Sequence, residues 1–250
     1  MIKSISVRNF RSIKDQITLD FSKSNRKKGD LSNYISISNT EIATTTVIYG
    51  ANASGKSNLL RAFKALEYLV LNSAKFDSED KLGPYEPFRL AKGFDKKSVS
   101  IELEFFIDQI RYIYLIIFGE KLIEQEKLLF FPVGKEATLF NRVKGKEIHF
   151  GEYFKGKKRT IEKLTLPNQL FLSKAAENNA ESALPVYQFF KNRIKVYPFL
   201  NQYNESGLER FYAKRLADEP ESPFAKKLNA LICALDTGIN SISAKETDWN

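Results

Sequence analysis

Eight consecutive residues constrain this chain more than any others: Gly50-Ala51-Asn52-Ala53-Ser54-Gly55-Lys56-Ser57. They follow a β-branched run, Thr44-Thr45-Thr46-Val47-Ile48-Tyr49, whose apolar end lacks polar alternation and predicts a strand buried on both faces. Behind them, Leu59, Leu60, Phe63, Leu66 and Leu69 repeat at helical spacing, which predicts a helix over 56–70. Strand, glycine loop and helix in that order form a cradle. Glycines let successive N–H groups turn inward, and the helix adds the positive end of its dipole. The stretch matches G-x-x-x-x-G-K-[ST] in full, so it predicts nucleotide binding by Gly50 to Asn58. Lys56 would reach the β- and γ-phosphates of ATP, and Ser57 would ligate Mg2+.

The flanking chain predicts a mixed architecture. Ile2, Ile5, Val7 and Phe10 alternate with polar residues, and Gln16 to Phe21 repeats the alternation, as in an early antiparallel pair. Ser22 to Asp30 reads as a solvated basic loop, and Ser73 to Lys97 as a long irregular connection broken by Gly83-Pro84 and Pro87. Val99 to Ile107 and Arg111 to Phe118 form a hairpin pattern around Asp108-Gln109-Ile110. Leu122 to Phe131, Ala137 to Val143 and Glu147 to Phe150 extend it into an antiparallel sheet of four or five strands. Helical patterns follow at Ser173 to Ala180, Leu184 to Arg193, Leu208 to Ala217 and Pro223 to Leu235, with Gly238 placed as a C-cap. The expected division is a nucleotide-binding lobe over 1–165 and a helical region over 166–250.

Composition removes several function classes. Hydrophobic residues make up 43% and aromatics 13%, enough for a packed core and against disorder. A single cysteine, Cys233, excludes a disulfide framework within the chain and a multi-cysteine zinc site. A single histidine, His149, excludes an imidazole cluster. No apolar run reaches the ~18 residues of a membrane helix, and Met1-Ile2-Lys3-Ser4 opens no secretory signal, so a cytoplasmic protein without a membrane partner is expected. Lys+Arg outnumber Asp+Glu by 39 to 30, a net charge of +9. That surplus, with the basic stretches Lys23 to Lys28 and Lys155 to Arg159, suggests a polyanionic partner such as DNA.

The start Val7-Arg8-Asn9-Phe10-Arg11-Ser12-Ile13, taken with Ile48 to Leu60, resembles the SMC-like branch of the ABC ATPases. That branch includes the overcoming-lysogenization-defect proteins and the AAA-type ATPases of bacterial defence and abortive infection. Tyr85-Glu86-Pro87-Phe88-Arg89-Leu90 and Leu170-Phe171-Leu172-Ser173 resemble the latter group. The resemblance implies an α/β fold, a P-loop NTPase lobe of ABC/SMC-like type with an antiparallel β-sheet and a following helical subdomain. It also implies that Asn9 to Ser12 lie beside the nucleotide with Arg11 on a phosphate, and that two copies form a homodimer through sandwiched ATP. DNA, a nuclease or a toxin is the partner it implies.

An ATPase of that branch also needs a strand ending in Asp-Glu, a signature loop and a switch histidine. Glu104-Phe105-Phe106-Ile107-Asp108 continues with Gln109 at a hairpin turn, and Leu231-Ile232-Cys233-Ala234-Leu235-Asp236 continues with Thr237 inside a helical pattern. Both read better as structural segments. Glu205-Ser206-Gly207-Leu208 mimics a signature loop without support around it, and His149 reads as an ordinary strand-edge residue. No catalytic acid is therefore assigned. The expectation is the N-terminal portion of a longer ATPase, or a truncated product, that binds ATP without turning it over. The alternative is an ATP-switched binding module for DNA or protein. A small-molecule kinase fits poorly, because a polar connection and a sheet follow the loop where such kinases carry an arginine lid, and the guanine-reading Asn-Lys-x-Asp of GTPases is absent.

Overall fold

The computed structural model describes residues 1–23, 33–51, 54–196, 205–234 and 240–244, with backbone alone over 205–210. Its larger compact unit runs from Met1 to Pro198 and its smaller from Phe199 to Asn250. In the larger unit lie β1 (Ile2–Arg8), β2 (Ile17–Asp20), β3 (Tyr34–Ile37), β4 (Thr40–Ala43) and α1 (Lys56–Asn72). Then come β5 (Val99–Ile107), β6 (Ile110–Phe118), β7 (Ile123–Phe131), β8 (Ala137–Val143) and β9 (His149–Phe150), followed by α2 (Lys158–Leu164), α3 (Phe171–Glu177) and α4 (Leu184–Arg193).

The main sheet has seven strands in the order β2-β1-β5-β6-β7-β8-β9, every pair antiparallel. The mixed α/β class with its antiparallel sheet is as expected, and the Val99 to Phe150 segment supplies five of the strands. Alternation sets the inner face. Val99, Ile101, Leu103 and Phe105 of β5 and Tyr114, Ile116 and Phe118 of β6 are completely buried, each contributing about 1.5–3 kcal/mol through apolar burial. Leu66, Leu69 and Val70 of α1 complete that core, together with α3 and α4. The Phe105 ring stacks on Phe189 of α4 at 4.4 Å, and Phe171 of α3 packs edge-on against Phe140 at 4.9 Å. Residues 171–193, within the helical region expected over 166–250, share the core of the sheet.

Glu126 of β7 is a carboxylate inside this apolar layer and fully buried. α3 has no side-chain cap of its own, which would leave its first N–H groups without partners. Glu126 supplies them from the sheet. Its Oε2 accepts from the Phe171 N–H at 2.6 Å, and its Oε1 accepts from the Leu172 N–H at 2.9 Å and the Tyr114 hydroxyl at 2.8 Å. The Arg142 guanidinium stands 3.9 Å away. Burial pushes the Glu126 carboxyl above its ordinary range, opposed by Arg142 and by the three donors. Burial and the Glu126 charge push the Tyr114 hydroxyl well up.

One expectation is corrected. Thr44 to Tyr49 forms no strand. The Thr44 N–H donates to the Asn33 carbonyl at 2.8 Å, but residues 45–49 have no strand partner among the described residues, and Val47 and Tyr49 are 63% and 87% exposed. A strand buried on both faces needs a sheet to pair with and layers packed above and below it. The main sheet instead ends at β2 and β9, and the run lies outside it.

The smaller unit contains α5 (Glu205–Asp218) and α6 (Pro223–Ala234). The Tyr212 and Phe224 rings stack at 6.0 Å, with the Arg215 guanidinium 4.3 Å above Phe224. Cys233 is half-buried, with its Sγ 3.2 Å from Asn229 Oδ1. Asp236 and Gly238 lie outside the described residues. No helix among the described residues is long and apolar enough to cross a membrane.

Candidate nucleotide-binding site

The glycine loop leads into α1 as the motif requires. Gly55 caps the helix at φ 96°, a left-handed conformation that costs glycine nothing and other residues about 1 kcal/mol or more. Lys56 and Ser57 are then the first helical residues. At Gly50, a Cβ would come within 2.9 Å of Ser54 Oγ, so a larger residue there would require the Ser54 side chain to turn away. Asn52 and Ala53 lie outside the described residues.

The start of α1 carries positive potential. It has no side-chain cap and no acidic residue in its first turn, so its positive end is left without the usual protein compensation. The Lys56 ammonium adds a full charge there, donating to the Gly50 and Ala51 carbonyls at 2.6 and 2.7 Å. Ser57 is exposed at the same turn. Beside them opens a cavity of about 480 Å³, lined by Ser54, Gly55 and Lys56 on the loop, Ile48 and Tyr49 ahead of it, and residues 12–15 and Ile17 facing them. Asp15 is the one acidic residue of that lining.

Other residues singled out in the sequence fall differently. Arg11 does not line the cavity. Its Nη1 donates to both carboxylate oxygens of Glu86 at 2.7 and 2.6 Å. Asn9, buried at φ 53°, pins the 88–98 connection: its amide donates to the Lys97 carbonyl at 2.8 Å and its oxygen accepts from the Phe88 N–H at 3.2 Å. Asn58 donates to Ser12 Oγ at 2.7 Å. Asp108 sits at the β5–β6 turn at φ 52° and lines a separate cavity of about 790 Å³ with Met1, Phe189 and Arg193. The structure thus does not bring it to the glycine loop. His149 is exposed, and among the described residues no cluster of His, Cys, Asp or Glu could hold a metal alone.

Of the basic stretches, residues 24–30 lie outside the described residues, and Lys23 pairs with Glu41 at 2.9 Å. Arg159 pairs with Glu162 at 2.7 Å and Glu147 at 3.5 Å. Sequence reasoning missed Lys14 and Asp15 as cavity residues. Their only signal was position after the Asn9 to Ser12 segment.

No curated protein matches the chain. A family model described as "AAA domain, putative AbiEii toxin, Type IV TA system" matches residues 45–248, a span that begins at the run before the glycine loop and covers most of the chain. On that match, which spans well over half of its length, the chain belongs to this family of AAA-domain P-loop ATPases.

Proposed function

We propose that this chain binds ATP through Gly50 to Asn58 and serves as the nucleotide-binding part of an SMC/OLD-like ATPase. One observation carries the reading: α1 begins on Gly55 without cap or acidic residue, with Lys56 and Ser57 at its opening turn. A triphosphate supplies the negative charge that this helix end lacks. Mg2+ fits the Ser57 hydroxyl together with phosphate oxygens and water, since this ion usually keeps several waters and needs few protein ligands.

In this reading ATP occupancy drives a DNA- or partner-directed activity in phage defence. The complete assembly works as a homodimer closed over ATP, with a nuclease or toxin as output. The abortive-infection and toxin vocabulary of the family supports the defence setting, and the net charge of +9 supports a polyanionic partner. The exposed Val47-Ile48-Tyr49 run supports a further strand joining there when the site is assembled.

A second reading, an ATP-switched binding module without hydrolysis of its own, is favoured by the cavity lining. Among the described residues, Asp15 is its only carboxylate, at an exposed bend, where it has no fixed position from which to orient an attacking water. The two readings share one expected result. Titration of the 250-residue chain with Mg2+–ATP should show saturable binding, while phosphate release stays at the background rate. Absence of binding removes both readings. Turnover well above background in this chain removes the second and calls for a hidden catalytic acid, with Asp15 the first residue to replace.

A further inference from the structure

The Arg11-Ser12 turn joins two parts of the fold that the sequence separates widely. Phe10 and Ile13 exchange both backbone hydrogen bonds at 2.8 Å, leaving Arg11 and Ser12 as the tip between β1 and β2. Arg11 adopts φ 51°, a conformation that a non-glycine residue keeps only where its surroundings hold it. They do so from both sides. The Arg11 N–H donates to the Glu86 carbonyl at 2.7 Å, and its guanidinium is held by the Glu86 carboxylate. Ser12 Oγ accepts from Asn58 in the first turn of α1 and lies 2.9 Å from where a Cβ on Gly55 would stand. Phe10 and Ile13 root the turn in the core.

We infer that this turn is a positioning device for the nucleotide site: Ser12 fixes the start of α1, and Glu86, acting through Arg11, fixes Ser12. The inference rests on the P-loop reading above. The physical basis is preorganisation. The N–H groups that meet phosphate take their direction from Gly55 and the first helical turn, so a contact that holds this turn in the unliganded protein lowers the ordering cost of binding. Arg11 is then a positioning residue, turned toward Glu86 and away from the cavity.

The test is ATP affinity, measured in the full chain for Ser12→Ala, Asn58→Ala, the double variant, Ser12→Thr and Glu86→Gln, beside Lys56→Ala. Ser12→Ala should weaken binding about fivefold to tenfold, as expected for one hydrogen bond at a preorganised site. Asn58→Ala added to Ser12→Ala should cost little more, because the two share one contact. Ser12→Thr keeps the hydroxyl and should recover most of the affinity, which a loss of folding alone would not explain. Glu86→Gln, outside the cavity, should weaken binding several-fold. Tighter binding in Glu86→Gln would mean that Glu86 withholds Arg11 from phosphate and would overturn the inference, as would additive effects of Ser12 and Asn58. If Lys56→Ala abolishes binding while Ser12→Ala and Glu86→Gln leave it intact, the positioning role alone is lost. If Lys56→Ala leaves binding intact, the P-loop reading itself is lost.

Discussion

Replacing Glu126 by alanine should lower the unfolding free energy by about 3–5 kcal/mol, the usual cost of removing one partner from a buried charged network. Three donors converge on this carboxylate: the Phe171 and Leu172 N–H groups and the Tyr114 hydroxyl. Alanine leaves all three without their acceptor inside a buried apolar layer. Each such orphan costs about 1–3 kcal/mol. Arg142 keeps its bonds to the Gln169 and Leu166 carbonyls, so its own loss is partial. Chemical denaturation of the variant beside the parent chain measures the difference. Glu126→Gln, which keeps the volume and one acceptor oxygen, should fall between the two.

The same residue gives the stability a pH dependence of definite sign. Burial is the largest influence on Glu126 and raises its pKa above the unfolded value. The native state therefore holds this proton more tightly than the unfolded chain. The contribution is complete below the unfolded pKa, about 4.3 for glutamate, and is lost as pH rises through the raised native value. The stability of the parent chain relative to Glu126→Gln should thus be greatest in acid and shrink as the pH rises. The opposite trend would mean that Arg142 and the three donors outweigh burial.

Lys56→Ala should reduce ATP affinity by about 100-fold or more, a loss near 2.7 kcal/mol that matches charge-assisted bonds to a phosphate at a helix start. The ammonium donates to the Gly50 and Ala51 carbonyls. Phosphate must therefore offer a better partner than two neutral oxygens, which its charge does. Lys56→Arg keeps the charge and should still bind poorly, because the planar guanidinium spreads five donors where the loop receives a compact ammonium. Titration calorimetry with Mg2+–ATP distinguishes these outcomes, and unaltered affinity in both variants would place the triphosphate elsewhere.

Much of the fold was legible because burial writes itself into spacing. Val99, Ile101, Leu103 and Phe105 alternate and form one face of β5. The helical run after Gly55 became α1 from Lys56 to Asn72. Thr44 to Tyr49 misled for the same reason, since β-branched apolar residues state that a run suits a buried strand but not whether a neighbouring strand is present. Glu126 was invisible: between Gln125 and Lys127 it reads as part of a solvated strand face. Strand alternation puts it on the inner face with Leu128 and Phe130, opposite Ile116, and the N–H groups that meet it there come from α3, 45 positions away in sequence. The glycine loop was legible as chemistry because its residue types are dictated by backbone geometry. Its supports were not. Ser12 against Asn58 and Arg11 against Glu86 are contacts across 46 and 75 positions of sequence, which no local pattern encodes.

Residue-resolved amide spectroscopy during an ATP titration shows where the phosphates sit. With phosphate on the uncapped start of α1, the N–H signals of Gly55, Lys56 and Ser57 shift most and gain protection from exchange, with smaller changes at Ser12 and Lys14 across the cavity. Shifts concentrated around Met1, Asp108 and Phe189, with residues 54–58 unmoved, would contradict that placement and give the site to the larger cavity instead.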